Sequence, residues 1–333
     1  MTSQTVTPSS SPRAPRPGVP WGAVADRTRQ AGILIPFVIL FVVISVSSSS
    51  FFTKVNLLNI GDQQAAILVM AGAGTLVLIA GGLDLSVGAT YSLAAVVFAQ
   101  TGQHHGVLLS IVYALLTGLA IGLANGVIST IFRINALITT LAMSFIVSGI
   151  GSRVTSGNLI ILTGNASFAK IAQTEWLGVR TSIWITLVAL VVLGAILSRS
   201  TLGRYMYAAG GNPEAAHLAG VRVTGVRISA FAFSGVAAAL AGVIDTSRVL
   251  SAQSSQGNSL AFTVLAGIVV GGTSIMGGEG AIWRTVVGVL FIALVGNGFD
   301  LLSINPLYQQ ITLGVILLLA VGLDSLSRGG RRR

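Results

Sequence analysis

From residue 31 onward, long apolar runs alternate with short polar breaks. Runs near the ~20 residues needed to cross a bilayer fall at 31–51, 63–82, 84–100, 107–129, 134–151, 181–198, 228–245, 258–276, 281–300 and 307–325. The pattern predicts an all-α integral membrane protein of about ten transmembrane helices. Its polytopic domain covers 31–326, between a disordered tail over 1–30 and a basic tail over 327–333. The first tail is rich in Ser, Pro and Arg and has no apolar period. With the apolar run behind it and the small residues Ser45-Val46-Ser47, it also has the outline of a signal peptide. The tail is long for that purpose, and the charge pattern works best with the segment retained.

Ten spans place both termini on one side. With that side cytosolic, Arg13, Arg16, Arg27, Arg29, Arg133, Arg199, Arg204, Arg222, Arg227, Arg284, Arg328, Arg331, Arg332 and Arg333 are internal. Lys54, Arg153, Lys170, Arg180 and Arg248 are external. This fourteen-to-five division of the nineteen cations follows the positive-inside rule.

The largest internal loop, 199–227, holds Gly210-Gly211-Asn212-Pro213-Glu214-Ala215-Ala216-His217-Leu218-Ala219-Gly220. Asn212 suits an N-cap, Pro213 the first helical position, and Glu214 the positive helix end. Gly220 can take the left-handed conformation that stops a helix. The stretch predicts a two-turn helix, too short to be stable without packing. It is either a plain surface helix or a docking element for a cytosolic partner. The largest external loop, 152–180, mixes Leu159-Ile160-Ile161-Leu162 with Asn165, Lys170, Glu175 and Trp176. Trp176 reads as an interfacial anchor, or as part of an external gate or docking surface.

Composition narrows the class. Charged residues make up 8% of the chain and hydrophobic ones 53%, too little charge for a solvated surface. The net charge of +10 could suggest nucleic acid, but the arginines are scattered between apolar runs and gather on no face. The sequence has no cysteine and only three histidines, which leaves no thiolate site and almost no metal ligands. No nucleophile–base pair or clustered acid is present, so neither an enzyme nor a bound cofactor is expected.

Two glycine-rich breaks carry most of the remaining polarity. In Gly81-Gly82-Leu83-Asp84-Leu85-Ser86-Val87-Gly88, Asp84 can cap the following helix, with Ser86 in its first turn. A carboxylate at membrane depth would instead be functional. Gly271-Gly272-Thr273-Ser274-Ile275-Met276-Gly277-Gly278-Glu279-Gly280 makes a similar turn. It lacks the Gly-Lys-Ser/Thr ending of a phosphate loop. Glu279 faces solvent or a cytosolic partner. Among intramembrane polar residues, Asn125, Asn297, Thr139, Thr140 and Gln64 serve helix–helix hydrogen bonding or line a translocation path, and Asp245 and Asp300 sit at external ends. Gly118, Gly122 and Gly126 favour close helix packing. A faint echo pairs Asn125-Gly126 and Ile134-Asn135-Ala136-Leu137 with Asn297-Gly298 and Ile304-Asn305-Pro306-Leu307, as an inverted repeat would.

Taken in register from about residue 50 to 325, these motifs resemble the membrane permease subunits of bacterial ATP-binding-cassette importers for monosaccharides, the ribose/xylose/galactose type. The likeness rests on the 81–88 stretch, Gly210 to Ala216, Ala219-Gly220-Val221, Gly271 to Ser274, Gly277 to Gly280, and Asn297-Gly298. It implies a pore of two permease copies or paralogues in the bacterial plasma membrane. It also implies a cytosolic ATPase subunit and an external or periplasmic sugar-binding protein. The short cytosolic helix, Gly211, Asn212, Pro213, Glu214, Ala215, Ala216, His217 and Gly220, would dock in a groove of the ATPase. The rival reading is an ion-coupled secondary transporter, which needs ionisable residues in mid-membrane. A channel and a membrane enzyme stand behind it.

Overall fold

The computed structural model describes residues 34–162, 166–305 and 307–329, with side chains to 319 and at 322. The 1–30 tail, Asn165, Pro306 and Arg331 to Arg333 lie outside the described residues. The described chain is helical: α1 (Leu34–Ser47), α2 (Lys54–Ile79), α3 (Val87–Gly102), α4 (Val107–Ile131), α5 (Ala136–Thr155), α6 (Ala166–Gln173), α7 (Thr181–Arg199), α8 (Thr201–Gly211), α9 (Pro213–Leu218), α10 (Val223–Val249), α11 (Leu260–Val270), α12 (Ile282–Leu301) and α13 (Leu307–Gly329). Six of these, α2, α4, α5, α7, α10 and α12, are long and apolar enough to cross a membrane. The shorter apolar helices are Leu34–Ser47, Leu260–Val270 and Leu307–Leu319.

α10 is the hub, packing most extensively on α4 and then on α2 and α3. Lipid tails are as apolar as leucine, so helices here associate through close backbone approach and not through the hydrophobic effect. Gly118, Gly122 and Gly126 supply that approach. A Cβ at Gly118 would strike the Gly235 carbonyl, one at Gly122 the Phe231 carbonyl, and one at Gly126 would sit 2.8 Å from the Ile228 Cα. Gly288 of α12 meets the Gly267 carbonyl of α11 in the same manner.

The turns collect at two ends. At one end, the segments after α2, after α4 and after α11 meet the start of α10, lining a shared crevice of about 440 Å3 with Gly81, Arg133, Asn135, Thr224 and Ile275. At the other end, β1 (Ile160–Ile161) pairs antiparallel with β4 (Ser251–Ala252), and Gln103 Nε2 donates to the Ile161 carbonyl at 3.5 Å. There Asp62 accepts from Arg180 at 2.6 Å and from the Ser182 hydroxyl.

Four boundaries differ from the sequence pattern. The 84–100 run becomes helix only from Val87, because residues 80–86 are held as a turn by side chains of other helices. The 258–276 run keeps helix only over Leu260–Val270, since Gly272, Gly277 and Gly278 adopt φ of 82, 89 and 74°. At 1.5 Å per residue this helix covers about half the hydrocarbon thickness. Its backbone continues inside protein: the Gly278 N–H donates to the Ile79 carbonyl and the Ser274 N–H to the Glu279 carbonyl, each at 2.9 Å. Non-helical backbone is tolerated in a membrane protein only where protein or water receives its polar groups. The 199–227 loop contains α8 as well as the short helix. The 152–180 loop contains α6, β1 and the hairpin of β2 (Glu175–Trp176) with β3 (Val179–Arg180). In that hairpin the exposed Trp176 packs edge-on against Trp184, ring centres 5.0 Å apart.

Gly118→Val should lower stability by about 3 kcal/mol, since the helix–helix backbone contact must open. Gly149→Val, at a position with nothing within 4 Å, should leave it unchanged. Thermal melting in mild detergent reads both; equal melting of the two variants would contradict the packing.

Candidate functional site: a glycine junction under a short capped helix

The short helix α9 is capped at both ends by local chemistry. Asn212, extended at φ −151°, accepts from the Ala215 N–H through its side chain at 3.0 Å. Pro213 occupies the first helical position, Glu214 the first turn and His217 the last. Gly220, at φ 85°, turns the chain left-handed. The Val221 N–H then donates to the Ala216 carbonyl and the Gly220 N–H to the His217 carbonyl, each at 2.9 Å. This is a Schellman stop, completed by its usual apolar contact, as Ala216 and Val221 are buried in one cluster. Only Ala216 is buried within α9; Glu214, Ala215, His217 and Leu218 face outward, Leu218 with 83% of its surface exposed. Leu218, the one large apolar side chain of this polar, doubly capped helix, was not singled out in the sequence reading.

α8 fixes α9 to the bundle. The Ser200 side chain caps α8 by accepting from the Gly203 N–H at 3.0 Å. At its far end Gly210 lies backbone to backbone against two other turns. A Cβ there would overlap the Ile79 carbonyl and come 2.7 Å from the Gly278 nitrogen. A Cβ at Gly277 would lie 3.0 Å from both the Gly210 carbonyl and the Gly81 Cα. The three glycine motifs, far apart in sequence, therefore close on one point. Tyr207 donates to the Gly280 carbonyl at 2.8 Å, and Arg227 Nε to the Ala80 carbonyl at 3.1 Å. Burial pushes the Tyr207 phenol up and the charge of Arg284 pulls it back. The hydroxyl thus stays protonated as the donor this contact requires.

The remaining sequence candidates fall into separate groups. Asp84 Oδ1 accepts from the Ser86 N–H at 2.9 Å and the Ser86 hydroxyl at 2.6 Å, and Oδ2 from Ser234 of α10 at 2.7 Å. Ser86 stands at the N-cap of α3 and not in its first turn, because Asp84 closes a turn two residues ahead of the helix. Asn125, wholly buried, donates to Ser86 Oγ at 2.7 Å, and Thr140 Oγ1 accepts from the Leu85 N–H at 3.1 Å. The Asn125 Oδ1 and Thr139 Oγ1 atoms have no partner among the described residues. Asn297 lies in a different place, in a reciprocal amide pair with Asn56 at 2.8 and 3.1 Å. Thr273 and Ser274 are buried in the 271–281 turn; Ser274 Oγ accepts from the Met276 N–H at 3.1 Å, and Glu279 is exposed. At the opposite end, Asp245 accepts from the Tyr91 hydroxyl, Arg248 and Gln256. No group of three or more His, Cys, Asp or Glu that could hold a metal ion occurs among the described residues.

The described residues form a mainly helical body with six helices of membrane-spanning length and a capped, outward-facing short helix at one end, the architecture of a multi-pass membrane protein. Residues 56–321 match the model of the branched-chain amino acid transport system / permease component family, and the chain belongs to that family. It is 37% identical to the ribose import permease protein of Escherichia coli strain K12, over 88% of this chain and 92% of that one. Identity to the ribose import permease protein of Bacillus subtilis strain 168 is 35%, covering 89% and 92%. The L-arabinose transport system permease protein of E. coli K12 is 34% identical over 97% of this chain and 98% of its own length. No solved structure matches the chain. The protein is thus a transport component of the bacterial inner membrane, and not an enzyme.

Gly210→Ala should unseat α8, because the new methyl has only backbone to push against. Gly211→Ala, with open space at its Cβ, should not. Limited trypsin digestion should cut the Gly210→Ala variant faster at Arg204 and Arg222 than the wild type; unchanged cleavage would contradict the junction.

Proposed function

We propose that the chain is the membrane-spanning subunit of an ATP-driven importer for a monosaccharide, most directly a pentose. The observation that carries this reading is the α9 tip, a rigid knob held by one buried alanine and offering Glu214, His217 and Leu218 outward. A helix this short is marginal unless something packs on it, and its outward face, on this reading, is shaped for a groove on a soluble partner. That partner is a cytosolic ATPase subunit. Movement of the ATPase is passed through α8 to the glycine junction, which touches the ends of α2 and α11 and, through Arg227, α10. The cargo class is supported by relatives named for ribose import and for L-arabinose transport, alike over nearly their whole length.

In this reading Gly211, Asn212, Pro213, Glu214, Ala215, Ala216, His217 and Gly220 form the coupling helix, and Asp84, Ser86, Thr273, Ser274 and Glu279 belong to the cytosolic turns. Asn125 and Asn297 border the translocation path only through the networks they hold. The six long helices join α1, α3, α11 and α13 to make ten spans over 31–326, with both termini and the 199–227 segment cytosolic; the fourteen-to-five charge division supports that orientation. An external binding protein delivers sugar to the opposite end, and a second permease copy or a paralogue, embedded in the same lipid, completes the pore. The ion-coupled alternative finds little support, since Asp62 and Asp245 are paired with Arg180 and Arg248 and Asp84 accepts three hydrogen bonds.

Mild-detergent co-purification from native membranes tests the coupling helix. An ATPase should accompany the wild type and fall roughly tenfold with Glu214→Arg, a loss of about 1.4 kcal/mol. Undiminished capture with Glu214→Arg would remove the helix from the interface. Purification without any ATPase, together with uptake in ATP-depleted vesicles, would overturn the importer reading. Competition of uptake by ribose or L-arabinose but not by leucine is the expected cargo result.

A further inference from the structure

Near the coupling end, α7 and α12 part to leave an apolar groove of about 520 Å3, lined by Leu187, Val191, Gly194, Leu197 and Trp283, with Tyr207 joining from α8. Leu187, Val191 and Trp283 are each about half exposed or more. A Cβ at Gly194 would meet nothing within 4 Å, so the groove is open along α7. Its lining residue Ser198 is followed by Arg199 at the end of that helix, and Arg204 stands one turn before Tyr207 on α8. Both arginines are exposed, and neither meets a carboxylate among the described residues. The charge of Arg284, next to Trp283, reaches the Tyr207 phenol at the same end. An apolar slot between two helices of membrane-spanning length, with exposed arginines within a turn of its lining residues Ser198 and Tyr207, suits a molecule with an apolar tail and an anionic head.

We propose that this groove binds an anionic phospholipid of the cytosolic leaflet, with one acyl chain along α7 and the headgroup phosphate against Arg199 and Arg204. The leaflet named rests on the orientation proposed above. Bulk lipid already solvates apolar side chains, so the tail gains little by entering the groove. Selectivity therefore comes from the headgroup, at about 1 kcal/mol for each arginine near an anionic surface. The site also has a mechanical consequence. Tyr207 lines the groove and donates to Gly280, so a resident lipid braces the strut that holds α8 to the 271–281 turn.

The test is native mass spectrometry of the full chain in mild detergent with added phosphatidylglycerol or phosphatidylcholine of identical acyl chains. Phosphatidylglycerol should be retained preferentially by the wild type. Arg199→Gln and Arg204→Gln should each lower that preference about fivefold, the factor matching about 1 kcal/mol. Gly194→Phe should fill the groove and displace both lipids while the melting temperature holds. Equal retention of the two lipids by the wild type, or unchanged retention by Gly194→Phe, would overturn the site. Efficient disulfide dimerisation of Val191→Cys, in a chain with no other cysteine, would assign the groove to a second copy and overturn it as well. Labelling of Ala215→Cys by an impermeant reagent tests orientation separately: labelling from outside would refute the cytosolic leaflet while the headgroup preference stood.

Discussion

The structure depends on a place where three stretches of backbone touch with no side chains between them. Gly210 at the end of α8 lies so close to the turns after α2 and after α11 that a Cβ on it would overlap the Ile79 carbonyl and crowd the Gly278 nitrogen. Two hydrogen bonds across the gap, Gly278 N–H to Ile79 and Tyr207 to Gly280, set its register. Packed backbone of this kind is stiff and transmits a displacement instead of absorbing it. In the mechanism proposed above, a push on α9 is carried by this junction to the ends of α2 and α11. The same principle builds the hub, where the glycines of α4 lie on α10.

Polar groups in the body are few and mostly tied in small closed sets. Asp84 with Ser86, Ser234 and Asn125 locks the break before α3; Asp62 takes Arg180 and Ser182; Asn56 and Asn297 satisfy each other. Each set joins elements distant in sequence and leaves its buried members, such as Asp62 and Asn125, with partners inside the protein. These contacts account for how a chain with 8% charged residues keeps a specific arrangement. They also leave no isolated carboxylate among Asp62, Asp84 and Asp245 to carry an ion, which fits transport powered from outside the membrane.

Much of this was legible in the sequence wherever the cause is local. Asn212, Pro213 and Gly220 write both ends of α9, and the structure draws that helix from Pro213 to Leu218. The spacing of Gly118, Gly122 and Gly126 announced a close helix contact, and α10 fills it. What hid were features set by distant partners. Nothing near Gly210 says that Ile79 and Gly278 will lie against it, and nothing near Asn297 names Asn56. The apolar run over 258–276 reads as one continuous helix because hydropathy cannot register that its glycine-rich second half will turn back onto protein. α8 was missed for a related reason: its buried face, Gly203, Met206 and Ala209, is too small and mixed to stand out beside the long apolar runs.

The most direct measurement is the ratio of sugar taken up to ATP hydrolysed in liposomes holding the chain with its ATPase and binding protein, compared between wild type and Gly210→Ala. The account predicts that hydrolysis persists in the variant while the ratio falls, because the ATPase still turns over against a strut that no longer bears on α2 and α11. An unchanged ratio in a variant whose junction has been opened would contradict transmission through the glycines. Sugar uptake that proceeds without ATP would contradict the whole reading.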